Sequence, residues 1–162
     1  MWRRNTLVKF RRSNSQDDWQ KYMRYLDSIW SQLPSGVKAF IREEWFYDGS
    51  DHRCPHDAWL EEFTIQEVGL GERFQYRNLD IRTTLLGAFH DKRLQFAYSN
   101  VTSYLVKCSI SAGAQTRQGD FLWDEVRYEA GKVIHEAIFS EGAQWVIECA
   151  DIQFNWTDIT QH

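Results

Sequence analysis

The sequence predicts an α+β fold, an antiparallel β-meander of about six to eight strands with two N-terminal helices packed on one face. Three observations carry it. Before position 46 the apolar residues recur at steps of three and four, the helical period. From 56 to 156 they gather instead into short runs rich in β-branched and aromatic side chains. The breaks between most of those runs are short, and short connections force antiparallel neighbours. The 162 residues read as a single domain, with a helical part over 1–46 and a sheet over 56–156. Eight Trp, seven Tyr and ten Phe supply the apolar area needed to offset the entropy of ordering.

The first element is a short basic strand over 6–10. Ser15 followed by Asp18 then resembles a capping box, and Asp17 and Asp18 sit where a helix dipole favours negative charge. Trp19, Tyr22, Met23, Leu26, Ile29, Trp30 and Leu33 form one stripe, which Pro34 ends. Ser35 and Gly36 open a second helix with Val37, Phe40, Ile41 and Trp45 on one face. A polar loop over 47–55 joins the two parts. Strands are expected at 60–68, 79–89, 93–98, 102–110, 121–129, 133–139 and 144–156. The last of these places Val146, Ala150, Ile152, Phe154 and Trp156 on one face, with Glu148 as the exception. The polar stretch 111–120 reads as a loop.

Composition excludes several classes of function. No apolar run approaches the ~20 residues of a membrane span. Cys54, Cys108 and Cys149, odd in number and widely spaced, fit reduced thiols, and residues 1–12 lack the apolar core of a signal peptide. The expected location is cytoplasmic. The net charge of −4 is uneven, because Arg3, Arg4, Lys9, Arg11 and Arg12 all precede the first acid. The remaining acidic body argues against nucleic-acid binding and suits a basic protein partner.

His52, Cys54 and His56 would point the same way in an extended segment, and His135 or Cys149 could complete a zinc set. The alternative is a polar loop whose His56 and Asp57 bond to backbone, and on that reading the chain holds no metal. His135-Glu136 lacks the second histidine of a zincin motif, since Phe139 takes that position. There is no nucleophile elbow, phosphate-binding loop or dinucleotide fingerprint, so nothing calls for a cofactor. These absences favour a protein without catalytic activity. The competing reading is a small-ligand or hydrolytic pocket between helices and sheet, using His56, Asp57 and His135.

The aromatic surplus points to binding. Trp59, Trp123, Trp145 and Trp156, with Asp124, Glu125, Glu148 and Asp151, are the expected interface, because aromatic anchors beside carboxylates suit a basic protein. A third alternative is a homo-oligomer that pairs edge strands.

His56-Asp57-Ala58, followed by Trp59-Leu60-Glu61 and a strand, resembles small bacterial proteins whose sheet opens with a His-Asp-Ala motif, among them immunity proteins of polymorphic toxin systems. The texture of 96–101 and 134–139 is similar too. That resemblance implies a cytoplasmic α+β binder that occludes a toxin without catalysis, with His56 and Asp57 as structural motif positions.

Overall fold

The computed structural model describes residues 9–11, 15–108 and 117–160. Of the expected strand at 6–10 only Lys9 and Phe10 fall among them, in a bend, and most of the 111–120 loop lies outside them.

The first helix forms as its capping signal predicts. Helix α1 spans Gln16–Ile29, and the Ser15 hydroxyl accepts from the Asp18 N–H. A 3₁₀ turn, Trp30–Gln32, carries the chain to Pro34. The single second helix expected from the spacing is instead two one-turn helices, α2 (Ser35–Lys38) and α3 (Glu44–Tyr47). Glu43 is extended between them, which ends one helical register and starts another. Burial of Val37, Phe40, Ile41 and Phe46 compensates for the missing length.

Among the described residues the β part is eight strands in two antiparallel sheets. They are β1 (Trp59–Leu70), β2 (Tyr76–Leu86), β3 (Lys92–Ser99), β4 (Ser103–Lys107), β5 (Phe121–Glu129), β6 (Lys132–Phe139), β7 (Gln144–Cys149) and β8 (Asp151–Asp158). The first sheet runs β1-β2-β3-β8 and the second β4-β7-β6-β5. One antiparallel ribbon, β3–β4 against β8–β7, serves both sheets. It bends at Asn100–Thr102 on one strand and at Ala150 on the other, where the Ala150 N–H donates to Ser99 O. Strands that change sheet at a bend or bulge are the usual way to make such a corner.

The expected unbroken strand over 144–156 is therefore two strands, and the inward face changes parity between them. Trp145, Ile147 and Cys149 point inward from β7, whereas Ile152 and Phe154 do so from β8. Glu148 stands as an exception in the sequence because it belongs to the outward set of β7. A second join holds the far edges. The Asp57 N–H donates to Phe121 O, the Phe121 N–H donates to Ala58 O, and Trp59 bridges Asp120.

The core lies between the sheets and is closed by the helical segment. Phe96 stacks parallel to Phe121 and meets Phe154 at a tilt, and Trp145 packs on Phe139 and Phe63. The helices cover strand edges. The Tyr22 hydroxyl both accepts from Val126 N–H and donates to Val126 O, and the Tyr25 hydroxyl accepts from Tyr128 N–H, which satisfies the outer edge of β5. On β8, the Asp151 carboxylate caps α2 through the Gly36 and Val37 N–H groups. The approach there is close. A Cβ on Gly36 would collide with the Ile152 carbonyl oxygen, so only glycine fits.

Candidate functional site

Two regions gather the residues singled out by the sequence: a buried polar chain reaching a small cleft, and an aromatic row along one end of the first sheet.

The buried chain is built by register. Asp124 on β5 and His135 on β6 share the inward face, since Val126 pairs His135 and Asp124 pairs Ala137. The Asp124 carboxylate accepts from His135 Nε2 at 2.9 Å, and the Tyr98 hydroxyl, reaching from the other sheet, bonds His135 Nδ1 at 2.7 Å. A hydroxyl donating to Nδ1 and an Nε2–H donating to the carboxylate satisfy all three groups. Burial pushes the Tyr98 phenol well above its ordinary value, so it stays protonated and able to donate. Arg11 completes the chain, donating to Asp124 O at 2.9 Å and lying 3.6 Å from the carboxylate. Its guanidinium also sits over the Trp19 and Tyr47 rings.

Asp124 shows one side of itself to a cleft of about 220 Å³ lined also by Arg11, Tyr47, Cys54, His56 and Trp123. His135 is fully enclosed and does not line it. His56 Nδ1 lies 3.3 Å from Phe121 O, next to the Asp57 N–H that donates to the same carbonyl. His-Asp-Ala is thus the latch between the starts of β1 and β5, with Asp57 in the left-handed region at φ 61° and Ala58 buried beneath. Burial pushes the Cys54 thiol up to about 11 and the Cys149 thiol to about 12, so neither is a thiolate at neutral pH.

The alternative of a zinc set at His52, Cys54 and His56 finds no converging ligands. His52 turns to Asp91, Cys54 is buried, and His56 is against the Phe121 carbonyl. Among the described residues no group of three or more His, Cys, Asp and Glu side chains is placed to hold an ion.

The expected interface is dispersed by the fold. Trp145, Asp124 and Glu125 are buried and cannot meet a partner. Trp145 faces inward because of the parity change at Ala150, and Asp124 because the bulge between Phe121 and Trp123 resets the face of β5. Glu125 points outward but is covered by the chain's own start. Its carboxylate accepts the backbone N–H groups of Lys9, Phe10 and Arg11 and bonds Arg127, which in turn reaches Glu136. Asp151 is spent on the α2 cap, Trp123 is half-buried, and Glu148, partly exposed on the second sheet, bonds Thr102 and Lys132.

Glu136 carries a measurable cost. It is fully enclosed, and burial raises its carboxyl above the ordinary 4.5, an effect that Arg127 only partly offsets. A carboxyl raised on folding binds its proton more tightly in the native state, so its contribution to stability is lost as pH rises through the folded value. Urea unfolding from pH 4 to 8 is therefore expected to show Glu136→Gln gaining on the wild type as pH rises. Parallel stability curves for the two proteins would contradict this.

Trp59 and Trp156 remain exposed, 51% and 40% respectively, and the structure adds residues that sequence reasoning missed. Trp59, Leu86, Arg93 and Thr157 form one row across the first sheet, which sets Trp59 and the end of β8 three strand spacings apart, about 14 Å. Between them lies the β2–β3 turn. The expected strand ran to Phe89, but β2 stops at Leu86, and the His90 N–H closes a turn onto Gly87 O. Phe89 and His90 are consequently exposed. The His52 ring stacks on Phe89 at 3.9 Å and 3°, with its Nδ1 2.6 Å from Asp91, and His90 meets Trp59 at 5.1 Å. At the other end Arg53 lies over Trp45 and Trp156 and is held by Asp51. That pairing lowers the Asp51 carboxyl to about 2. Lys92 pairs with Asp158. A run reading Gly-Ala-Phe-His-Asp between two strands, with an aromatic at a turn position, was the available signal.

Trp59, on the outward face with Arg93 and Thr157, and Trp156, on the inward face with Leu94, stand at the same end of the first sheet, together with Asp51, Asp57, Glu61, Asp91, Asp120 and Asp158 and the cations Arg53, Lys92 and Arg93. Such a surface can bury large rings against a partner while its excess of carboxylates draws positive charge. No family model, curated protein or solved structure matches the chain.

Proposed function

We propose that this protein is a non-catalytic binder of a basic protein partner, and more specifically an immunity protein that neutralises a cognate toxin by steric and electrostatic occlusion. The aromatic row carries the reading. Trp59, Phe89 and Trp156 stay open to solvent at one end of the first sheet, as Phe74 and Tyr76 do at the β1–β2 turn, and the first three stand among more carboxylates than cations. Large exposed rings mark interaction sites, and aromatic anchors commonly dominate binding energy. The hydrolytic alternative is less well supported. In the cleft the Cys54 thiol is protonated, His56 Nδ1 faces a main-chain carbonyl, and both ring nitrogens of His135 are engaged away from it. The location that accompanies this proposal is cytoplasmic, since the sequence favours reduced thiols. No helix among the described residues is long and apolar enough to cross a membrane.

The test uses the immobilised chain and its Trp59→Ala/Phe89→Ala variant. A basic polypeptide is expected to be retained by the wild type and released by salt, with each truncated ring costing about 2 kcal/mol, or roughly thirty-fold in Kd. Produced alone, that polypeptide should arrest bacterial growth, and co-production of the wild-type chain should restore it. Equal binding to wild type and variant, or retention of acidic proteins only, overturns the proposal.

A further inference from the structure

Two four-stranded sheets present four edges, and the fold treats three of them alike. The edge of β5 is satisfied by the Tyr22 and Tyr25 hydroxyls. The start of β8 lies against α2, whose Gly36 sits on the Ile152 carbonyl. The edge of β1 carries a bulge and the charges Glu61, Glu62 and Glu67, the devices that discourage strand pairing. The fourth edge, β4, has neither a bulge nor a covering helix among the described residues; its one charge is the terminal Lys107, whose carbonyl accepts from the Gln118 amide. It is a regular five-residue strand, Ser103–Lys107, paired to β7 without a register break. In an antiparallel pair alternate residues turn their N–H and C=O away from the partner strand, so before Lys107, whose carbonyl takes the Gln118 amide, β4 offers open ladder positions. Tyr104, Leu105 and Val106 are consecutive and 40–42% exposed, an apolar run that a solvated edge does not need.

We infer that β4 is a self-association edge, where two copies of this chain pair antiparallel about Leu105 and join their second sheets. The occupant is a second copy because the strand complements itself. Centred on Leu105, the pairing sets Tyr104 against Val106 of the other copy, an aromatic on a β-branched side chain, and does so twice by symmetry. It sets Lys107 against Ser103, whose other cross-strand neighbour is Glu148. The small Ser103 side chain leaves Lys107, which has no ion-pair partner in its own chain among the described residues, a path toward that carboxylate. Glu148 already lies with Lys132 and Thr102, so a second cation there completes a charge network rather than burying a lone charge. The contact uses the second sheet and leaves the aromatic row of the first sheet open, so the dimer and the partner-binding reading stand or fall separately.

Sedimentation equilibrium over a hundred-fold range of concentration tests it, in a Cys108→Ser background because Cys108 is exposed. The expected result is a rise in mass toward that of two chains, abolished in Val106→Lys while the urea midpoint stays unchanged. In the same background, Leu105→Cys is expected to oxidise to a covalent dimer, whereas a cysteine placed at exposed Glu62 is not. Monomer at every concentration, or a dimer indifferent to Val106→Lys with the fold intact, overturns the inference. A disulfide formed equally well at both positions, reporting collision only, does so too.

Discussion

Asp124→Ala is expected to destabilise the protein by about 3 kcal/mol, the usual cost of removing one member of a buried charged and hydrogen-bonded set. The carboxylate is almost wholly enclosed and serves His135, which cannot reach water instead, and Arg11, which is mostly covered. Without it, the His135 Nε2–H loses its acceptor and the Arg11 guanidinium its counter-charge. Because Tyr98 fixes the imidazole from the opposite sheet, the loss is felt across the whole interior. Against a total stability of order 10 kcal/mol, the urea midpoint should fall by about a third at constant slope. Asp124→Asn keeps an acceptor oxygen and is expected to cost about half as much. Combining Asp124→Ala with His135→Ala should cost less than the sum of the singles by about 1 kcal/mol or more. Strict additivity would show that the two side chains do not act as one unit.

Trp145→Ala is expected to cost more still, about 4 kcal/mol. Trp145 is fully buried and its ring meets Phe63, Phe96, Phe121, Phe139 and His135. Both sheets contribute to that shell, so the cavity left by alanine lies where neither sheet can close it alone. The comparison that tests the assignment is Trp59→Ala, which removes the same ring from a half-exposed position and is expected to change stability by less than about 1 kcal/mol. Chemical denaturation of the two variants side by side measures the difference. Similar losses at both positions would mean that Trp145 is not the interior ring and Trp59 not the outward one.

These two tryptophans show where reading the chain as a string reaches its limit. The sequence alone determined the α+β class, the capped first helix, the stop at Pro34 and six of the strands to within a few residues. Each of those rests on local physics: a period of three to four, a capping hydroxyl, or a β-branched run between turns. It marked Trp59 and Trp156 as rings left outside, but in the same stroke Trp123, which is half-buried, and Trp145, which is buried.

Tertiary structure decided the rest, because facing is a relation between distant segments. Ala150 lets one ribbon pass between two sheets and reverses the parity of everything before it, which sends Trp145 inward and makes Glu148 regular. The bulge near Phe121 does the same for Asp124. Glu125 is buried only because the backbone of residues 9–11 folds over it from more than a hundred positions away. His52, Phe89 and Asp91 meet only when the loop before β1 docks on the β2–β3 turn. A side-chain period reports which residues share a face. Which face becomes the interior depends on bulges, bends and covering segments, and these acquire their meaning only once the chain has packed.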